Sequence, residues 1–474
     1  MAIGGFVLPR RQAELIEEKC GVRDRVSIRL VMPPSYQPYE PRQQQLLPQA
    51  LQDWLPDGHL AYYIGDTVDG FDLSAFDARY VEGGPRNQPF HPAMMVKVLI
   101  YGYATGVFSS RKIARKLHED VAFRVLGAGN FPAHRTVCDF RALHLKELAA
   151  LFVQVVRLAS ECGLVKLGTI AIDGTKIKAN ASRHKAMSYK FMLKAEEELK
   201  AEIEALLEKA RATDEAEQNE PELDIPAELT RRKDRLEVIA AAKARLEQRQ
   251  REMDEARGRS EGDERIPRHP NGEPKRGAPY KRDFGVPEDT AQESFTDSDS
   301  RIMKHSGGGF DQSYNAHAAV DETAQIVVAA ELTNNASDSD RLPVVLEAVR
   351  QNLNAQPGQA LADAGFRGEA VFEQLKDSPV DLIVALGREG KQDASIDAEK
   401  YPRTADMAAK LRSDEGKKAY RKRKWISEAP HGWIKNVLGF RQFSLRGLHK
   451  VTSEWKLLCA ALNLRRMCAL LQPA

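Results

Sequence analysis

The chain has 474 residues, 42% of them hydrophobic and 29% charged, and its formal net charge is +2. This length allows two or three domains with a sizeable core, and the composition is typical of a soluble globular protein. No run reaches transmembrane length and no secretory signal pattern is present, so we expect a cytoplasmic protein without a membrane partner. The five cysteines are odd in number and lack a CxxC spacing, so neither a disulfide framework nor a cysteine zinc site is indicated.

The first part of the chain predicts an arm followed by an all-α domain. Residues 1–60 are rich in proline and glutamine and predict an extended arm. Residues 61–165 have helical apolar spacing, with Pro92 as the start of one helix and residues 136–158 as a long helix. Two short helices around a turn are typical of a helix-turn-helix DNA reader, although a plain helical bundle explains the pattern equally well. Candidate DNA contacts on these helices are Arg111, Lys112, Arg115, Arg135 and Arg141.

Residues 166–470 predict an α/β domain. A β-rich run, TIAID, ends at Asp173, and further strands are predicted at 314–321, 325–333 and 380–386. Another short strand ends at Asp363, and helices separate the later strands. With a long insertion removed, this order matches a ribonuclease-H-like mixed sheet with helices packed on it.

The insertion covers residues 186–300. Its first part, 186–256, is charged and has leucines at helical spacing, which predicts an antiparallel helical hairpin. The rest, 257–300, is rich in glycine, proline and charge and predicts a linker. We therefore expect TIAID to pair in one sheet with the strand that begins near Tyr314, despite the residues between them.

Three acidic residues lie in settings that suit a metal site. Asp173 and Asp363 end strands that would be neighbours at the centre of the sheet, so their carboxylates would face one crevice. Glu428 is the only carboxylate in residues 417–450, which carry ten Lys or Arg residues. Three carboxylates around Mg2+ would perform phosphoryl transfer on nucleic acid. Taken singly, an aspartate at a strand end is more often a helix cap or a turn residue.

The segment around Glu428 is strongly basic. Lys435 follows Glu428 by two helical turns, so both would project from one face, where Lys435 could contact a phosphate. The other basic residues of this segment predict a phosphate-contacting surface, with an ordinary solvated face as the alternative: Lys417, Arg421, Lys422, Arg423, Lys424, Arg441 and Arg446. The histidines show no ligand spacing and are predicted to be structural: His91, His134, His317 and His431.

These blocks resemble the DDE transposases of bacterial insertion sequences, most closely the group numbered eleven-eighty-two in the IS-four/IS-five assemblage. AIDGTKIKANAS is similar to the first-aspartate block of that family, and LADAGFRG is similar to the second. The glutamate block is matched by E-x-x-x-G-x-I-K-x-x-x-G-F-R-x-F-x-L-R-G-L, which starts at Glu428. Members usually read E-P-x-F-G where this chain reads Glu428-Ala-Pro-His-Gly432.

The resemblance implies a transposase that binds the terminal inverted repeats of an insertion sequence, cleaves their ends and joins them to target DNA. It implies Asp173, Asp363 and Glu428 as ligands of two Mg2+ or Mn2+ ions, with Lys435 as a further catalytic residue. Pairing two ends needs at least two protomers, so a homodimer is expected, bound to the nucleoid through its DNA. The alternative is a DNA-binding repressor or bridging protein derived from such an enzyme, and a nuclease without strand transfer is a third interpretation.

Overall fold

The computed structural model describes residues 50–80, 89–182, 185–216, 225–262, 279–305, 307–387 and 396–471. Of the expected arm at 1–60, residues 1–49 lie outside these ranges, and a 3-10 turn occurs at Leu51–Trp54. Residues 263–278 of the expected linker also lie outside them. In the described part of the chain, no helix is long and apolar enough to cross a membrane.

Between residues 60 and 161, the regular elements of the described residues are all helical, and the sequence predicts an all-α domain for residues 61–165. Their bounds are α1 (Leu60–Asp69), α2 (Ser74–Asp77), α3 (Pro92–Ala104), α4 (Ser110–Glu119), α5 (Val121–Leu126), α6 (His134–Leu143) and α7 (Leu145–Glu161). Helix α3 begins at Pro92, whose missing N–H would have no partner in the first turn anyway. Helix α4 packs against α5 and α6.

The long helix expected at 136–158 is instead two helices, α6 and α7, separated at His144. The backbone of His144 leaves the helical region, with φ −104° and ψ 37°. Its ring is fully buried between Phe76 and Phe140, and Tyr80 Oη lies 2.9 Å from its Nε2. The break in the helix therefore occurs where this ring packs against α2. Helical periodicity in the sequence does not reveal such a tertiary contact.

A six-stranded mixed sheet forms the centre of the second half. The strands of the chain are β1 (Thr169–Lys178), β2 (Ala186–Ser188), β3 (Gln292–Ser294), β4 (Arg301–Lys304), β5 (Phe310–Asp321), β6 (Val327–Thr333), β7 (Gln359–Ala362) and β8 (Asp381–Val384). The main order is β4-β5-β1-β7-β8, and β6 also pairs with β5. Strands β1 and β5 are antiparallel, whereas β1, β7 and β8 are parallel. TIAID thus pairs with the strand containing Tyr314, as the sequence predicts.

The insertion between β1 and β5 contains a helical hairpin with its own small core. Its helices are α8 (Tyr189–Ala216) and α9 (Ile225–Ala256). Met192, Leu199 and Ile239 are buried in this second cluster, which is separate from the main core. The two-stranded sheet of β2 and β3 lies at the base of the hairpin and joins it to the six-stranded sheet.

The remaining helices cover the sheet. They are α10 (Leu342–Leu353), α11 (Glu369–Gln374), α12 (Pro402–Arg412), α13 (Asp414–Gly432) and α14 (Leu448–Leu471), and a π-helical turn over Trp433–Val437 follows α13. Helix α13 packs on β1, β5, β7 and β8. Helix α14 contacts α3 and α7 as well as β6, so it buries apolar residues against both halves of the chain.

Candidate active site

The pairing of β1 with β7 places the two predicted aspartates side by side. Ile172 of β1 is the parallel partner of Ala362 of β7. Each is followed directly by an aspartate, Asp173 or Asp363. Crevices outside the carboxyl ends of parallel strands are common ligand sites in α/β proteins. The two carboxylates therefore lie where the sequence predicts a catalytic centre.

Each aspartate also bonds its own loop. Asp173 Oδ1 accepts a hydrogen bond from the Gly174 N–H at 2.9 Å. Asp363 Oδ1 accepts one from the Gly365 N–H at 2.9 Å and so caps the 3-10 turn at Ala364–Phe366. These are the cap and turn roles that ordinarily explain an aspartate at a strand end. Both bonds use only Oδ1, so these local roles and a role in a site are compatible.

Asp338 is a third carboxylate at this place, and the sequence analysis did not find it. It lies in the loop between β6 and α10. Its Oδ1 accepts hydrogen bonds from Asn315 Nδ2 at 2.7 Å and from His317 Nε2 at 2.8 Å. Both partners are on β5, where His317 faces Gly174 of β1 across the sheet. The loop carboxylate is thereby fixed against the central strands.

Two glycines leave the space that Asp338 occupies beside Asp363 and His317. A Cβ at Gly365 would lie 2.9 Å from Asp338 Oδ2 and 3.0 Å from Asp363 Oδ1. A Cβ at Gly174 would lie 2.9 Å from Asp338 Oδ1 and 3.1 Å from the His317 ring. Carbon–oxygen distances this short are strongly repulsive, so any larger residue at either position would displace Asp338.

One face of α13 and the following turn supplies the other side of the site. Arg423 Nη1 lies 3.8 Å from Asp173 Oδ2. Ser427 is fully buried beside the same carboxylate. His431 is buried against the backbone of Asp173, and the charge of Lys435 acts on Asp173. These four residues recur at intervals of four, which places them along one side of the helix.

The acidic groups differ in their electrostatics. Burial raises the pKa of Asp173, and Arg423 opposes this rise. Burial and the charge of Asp173 raise the pKa of Asp363. Burial acts to raise the pKa of Asp338 too, but the hydrogen bonds from His317 and Asn315 outweigh it and lower that pKa. Mutual repulsion between desolvated carboxylates favours a cation beside them.

Glu428 is not gathered into this group. Its side chain is exposed, whereas the preceding Ser427 faces the sheet. Over the described residues, no three acidic, histidine or cysteine side chains are close enough to hold one metal ion, so the expected convergence of three ligands is not observed. The shared face expected for Glu428 and Lys435 is also not observed, because the π-helical turn changes the angular spacing and Lys435 is half-buried near Asp173.

Most of the predicted DNA contacts are exposed. These are Arg111, Lys112, Arg115, Arg135, Lys417, Arg421, Lys424, Arg441 and Arg446. Lys422 is half-buried in an ion pair with Glu322 at 2.9 Å, and Arg423 points to Asp173 instead of outward.

The structure contradicts the prediction that Arg141 contacts DNA. It is only 4% exposed, and its Nη1 donates to Tyr103 Oη at 2.9 Å and to the carbonyl of Phe108 at 3.1 Å. A guanidinium enclosed in this way has no surface to offer DNA. The amphipathic pattern misassigned it because a buried arginine and a solvated one look alike in a sequence.

Sequence reasoning also set aside two histidines that border the site. His317 holds Asp338, and His431 packs parallel to Trp455 with ring centroids 6.5 Å apart. Burial, then Lys435 and His317, lower the pKa of His431 to about 4. Neither residue has a spacing that signals a site. Only the β1–β5 register and the packing of α13 show their place.

Two segments of the chain match family models of transposases. Residues 281–464 match the model described as Transposase DDE domain, and residues 49–143 match the one described as Transposase domain (DUF772). No curated protein and no solved structure matches the chain. The first match spans Asp363, Asp338 and Glu428, and the second covers the helices from α1 to α6. Together with the paired aspartates of a mixed sheet, the two matches support a DDE transposase of an insertion sequence.

Proposed function

We propose that this chain binds the terminal inverted repeats of an insertion sequence, cleaves DNA strands at their ends and transfers them to target DNA. The observation that carries the proposal is the pair Asp173 and Asp363 on neighbouring parallel strands, beside the cations Arg423 and Lys435. The two buried carboxylates repel each other, which favours a bound cation beside them. The neighbouring side-chain cations can hold a phosphate, and this combination suits phosphoryl transfer.

The residues present fit divalent cations in part. Asp173 and Asp363 are hard oxygen donors that repel each other, and Glu428, which directly follows the buried Ser427, is proposed as the third donor. Two Mg2+ or Mn2+ ions held there would supply an activated oxygen nucleophile and stabilise the leaving oxygen.

The chain's own cations would place the DNA. Arg423 is fixed between Asp173 and the ring of Tyr420, which lies 5.7 Å from its Cζ. Lys435 lies on the other side of Ser427 along the same helix face. Both can donate to the oxygens of one phosphodiester and so orient it against the aspartates. The exposed residues Arg421 and Lys424 would hold the flanking backbone.

The assembly and the helical domain complete the proposal. The helices α4 to α6, with exposed Arg111, Arg115 and Arg135, are proposed to read the end sequence as a helix-turn-helix-like unit. Two ends must be held at once, so a homodimer on DNA is proposed. The alternative of a binding protein without cleavage is disfavoured by the retained pair of acids, since acids beside DNA weaken binding unless a metal intervenes.

Cleavage and binding of end DNA test this function separately. We expect Asp173→Asn, Asp363→Asn and Glu428→Gln each to abolish Mg2+-dependent cleavage of a labelled duplex that carries an element end. Affinity for that duplex, measured by fluorescence anisotropy, should stay within about twofold of the wild type, because no acid is a DNA contact. Asp377→Asn, an exposed acid of the same domain, is the matched control and should cleave normally.

The outcomes separate the candidates. Cleavage by a variant at the wild-type rate would remove that residue from the site. Wild-type binding without cleavage or joining under Mg2+ and Mn2+ would favour the DNA-binding alternative, and cleavage without joining would favour the nuclease.

A further inference from the structure

A second polar cleft lies where the helical hairpin meets the catalytic sheet. Its volume is about 450 Å3, and it is lined by α9 and by the segment from β3 to β4. Three arginines face it, Arg245 and Arg249 from α9 and Arg301 from the start of β4. The acidic residues of its lining are Glu293 and Asp299. None of these residues is among the site residues predicted from the sequence.

Glu293 forms ion pairs with two of the arginines, and its single negative charge neutralises only one of them. Its side chain is fully buried, and it accepts hydrogen bonds from Arg245 Nε at 2.9 Å and from Arg249 Nη2. One carboxylate compensates one guanidinium, so the second is in excess. A buried charge pair of this kind holds α9 rigidly against β3 and orients both guanidinium planes.

Arg301 adds a third cation with free donors. Its Nη1 donates to the carbonyls of Ser298 at 2.7 Å and of Ser300 at 2.8 Å. Within the described residues, no hydrogen bond to its Nε or Nη2 is found, and neither atom is buried without a partner. Burial, and after it the neighbouring Arg249, lower the pKa of Arg301, while Glu293 and Asp299 oppose this shift.

Three guanidinium groups face two carboxylates in the cleft, so a single net positive charge remains. Glu293 is already shared by two arginines, and Asp299 Oδ2 accepts the backbone N–H of Leu448 at 2.8 Å. A planar guanidinium matches a phosphate with two parallel hydrogen bonds, so a fixed group of guanidinium donors is suited to that anion.

The cleft also adjoins the basic loop after the π-helical turn. Asp297 Oδ1, next to the cleft, accepts the Gly447 N–H at 3.1 Å, and Asp299 accepts the next N–H in the chain. The residue before Gly447 is the exposed Arg446, whose Nε donates to the carbonyl of Asn180. The cleft therefore lies beside the loop that carries Arg446, a predicted DNA contact.

We propose that this cleft binds a backbone phosphate of the DNA, so that the helical hairpin is a part of the DNA-binding surface. The inference rests on the proposed function and extends it to a contact outside the catalytic sheet. Because the contact is to phosphate, it adds affinity for every sequence alike.

Charge removal at the cleft tests the inference with the full-length chain. Arg245→Gln removes the most exposed of the three guanidinium groups, and Arg235→Gln removes the same charge from an exposed position on the same helix, nearer the tip of the hairpin. We expect Arg245→Gln to weaken binding of an end-DNA duplex roughly three- to tenfold and to reduce the log–log salt slope by about 0.9. Arg235→Gln should leave both unchanged.

A crosslink from the cleft gives an answer that does not depend on losing an arginine. Gln248, which lines the cleft and is exposed, would be replaced by a photoreactive phenylalanine analogue, and Arg235 likewise as the control. We expect DNA crosslinking from position 248 only. If the wild type binds DNA while Arg245→Gln keeps the wild-type slope, or position 248 gives no crosslink, the cleft is not a DNA contact. If the wild type binds no DNA, the proposed function itself fails.

Discussion

Asp338 is the residue whose position most changes the description of the site. Its carboxylate shares the space beside Gly365 with Asp363, and its charge acts on both Asp173 and Asp363. His317 and Asn315 keep it ionised and fixed. Asp338 is therefore a positioning residue of the site, since its negative charge raises the pKa values of the two neighbouring aspartates.

We expect Asp338→Asn to slow Mg2+-dependent cleavage about 10- to 100-fold, the usual effect of losing an outer partner of a metal site. The amide can still accept from His317 and Asn315, so the melting temperature should change little, but it no longer adds negative charge beside Asp363. The pH dependence of cleavage should also shift to lower pH, because the pKa values of both catalytic aspartates fall. Asp340→Asn, at an exposed neighbour paired with Arg341, is the control. Equal cleavage rates for the two variants would reduce Asp338 to a structural residue.

The sequence predicts Asp173 and Asp363 but not Asp338, for a physical reason. Each of the first two ends an apolar strand, and the strand order alone makes them neighbours. Asp338 lies in NNASDSDRL, where asparagine, serine and aspartate ordinarily indicate a turn. Its role arises from side chains of β5, and a contact between a loop and a strand has no sequence period.

Helix α13 contributes to the site through the face that packs on the sheet. Arg423, Ser427 and His431 occupy that face, and Glu428 lies one position beyond it. The sequence indicates a helix here and identifies its basic surface. It does not show the π-helical turn at Trp433–Val437, which brings Lys435 to the same face, because no residue type in this segment distinguishes a π-helical turn from an α-helical one.

His431 makes the stability of the chain depend on pH. Burial, and after it the charges of Lys435 and His317, hold its pKa at about 4. In the unfolded chain the pKa is about 6.5, so below that pH the unfolded state binds a proton that the folded state does not. Stability is therefore lost as the pH falls from about 6.5 to 4, by about 2 kcal/mol at pH 5.

We expect His431→Phe to remove this loss. An aromatic ring of similar shape can still pack on Trp455, and it has no proton to bind. The measurement is the urea midpoint of both proteins at pH 7 and pH 5, where the wild type should lose more than the variant. Parallel losses in the two proteins would show that the histidine is protonated in the folded state as well.

A buried polar network joins the amino-terminal helices to the half of the chain that contains the six-stranded sheet. Tyr103 of α3 donates to Glu454 Oε1 of α14 at 2.8 Å, and Arg141 of α6 donates to Tyr103. Glu454 also accepts the backbone N–H groups of Ser444 and Leu445, in the loop that carries Arg441 and Arg446. One carboxylate therefore links helices α3 and α6 to the basic loop.

We expect Arg141→Met to destabilise the chain by about 3–5 kcal/mol, because it leaves Glu454 buried without a cation. The affinity of the folded fraction for end DNA should not change, since Arg141 has no exposed surface. Arg135→Met, on the exposed side of the same helix, should have the opposite effects, with a weaker DNA complex and an unchanged melting temperature. Thermal melting and anisotropy on both variants make the comparison, and a DNA defect confined to Arg141→Met would restore its role as a contact.

The long insertion has a consequence for how the chain is made. Asp173 pairs with Ala318, roughly 145 positions later, so β1 leaves the ribosome about 7–30 s before its partner at ordinary rates of synthesis. The hairpin needs only local contacts and forms within that interval, and its closed base shortens the loop that β1 and β5 must then close. The helices from α1 to α7 emerge before β1, whereas Asp363 and α13 come after β5. On the proposed function, a growing chain therefore completes the helices proposed to read DNA well before the residues proposed for cleavage have been synthesised.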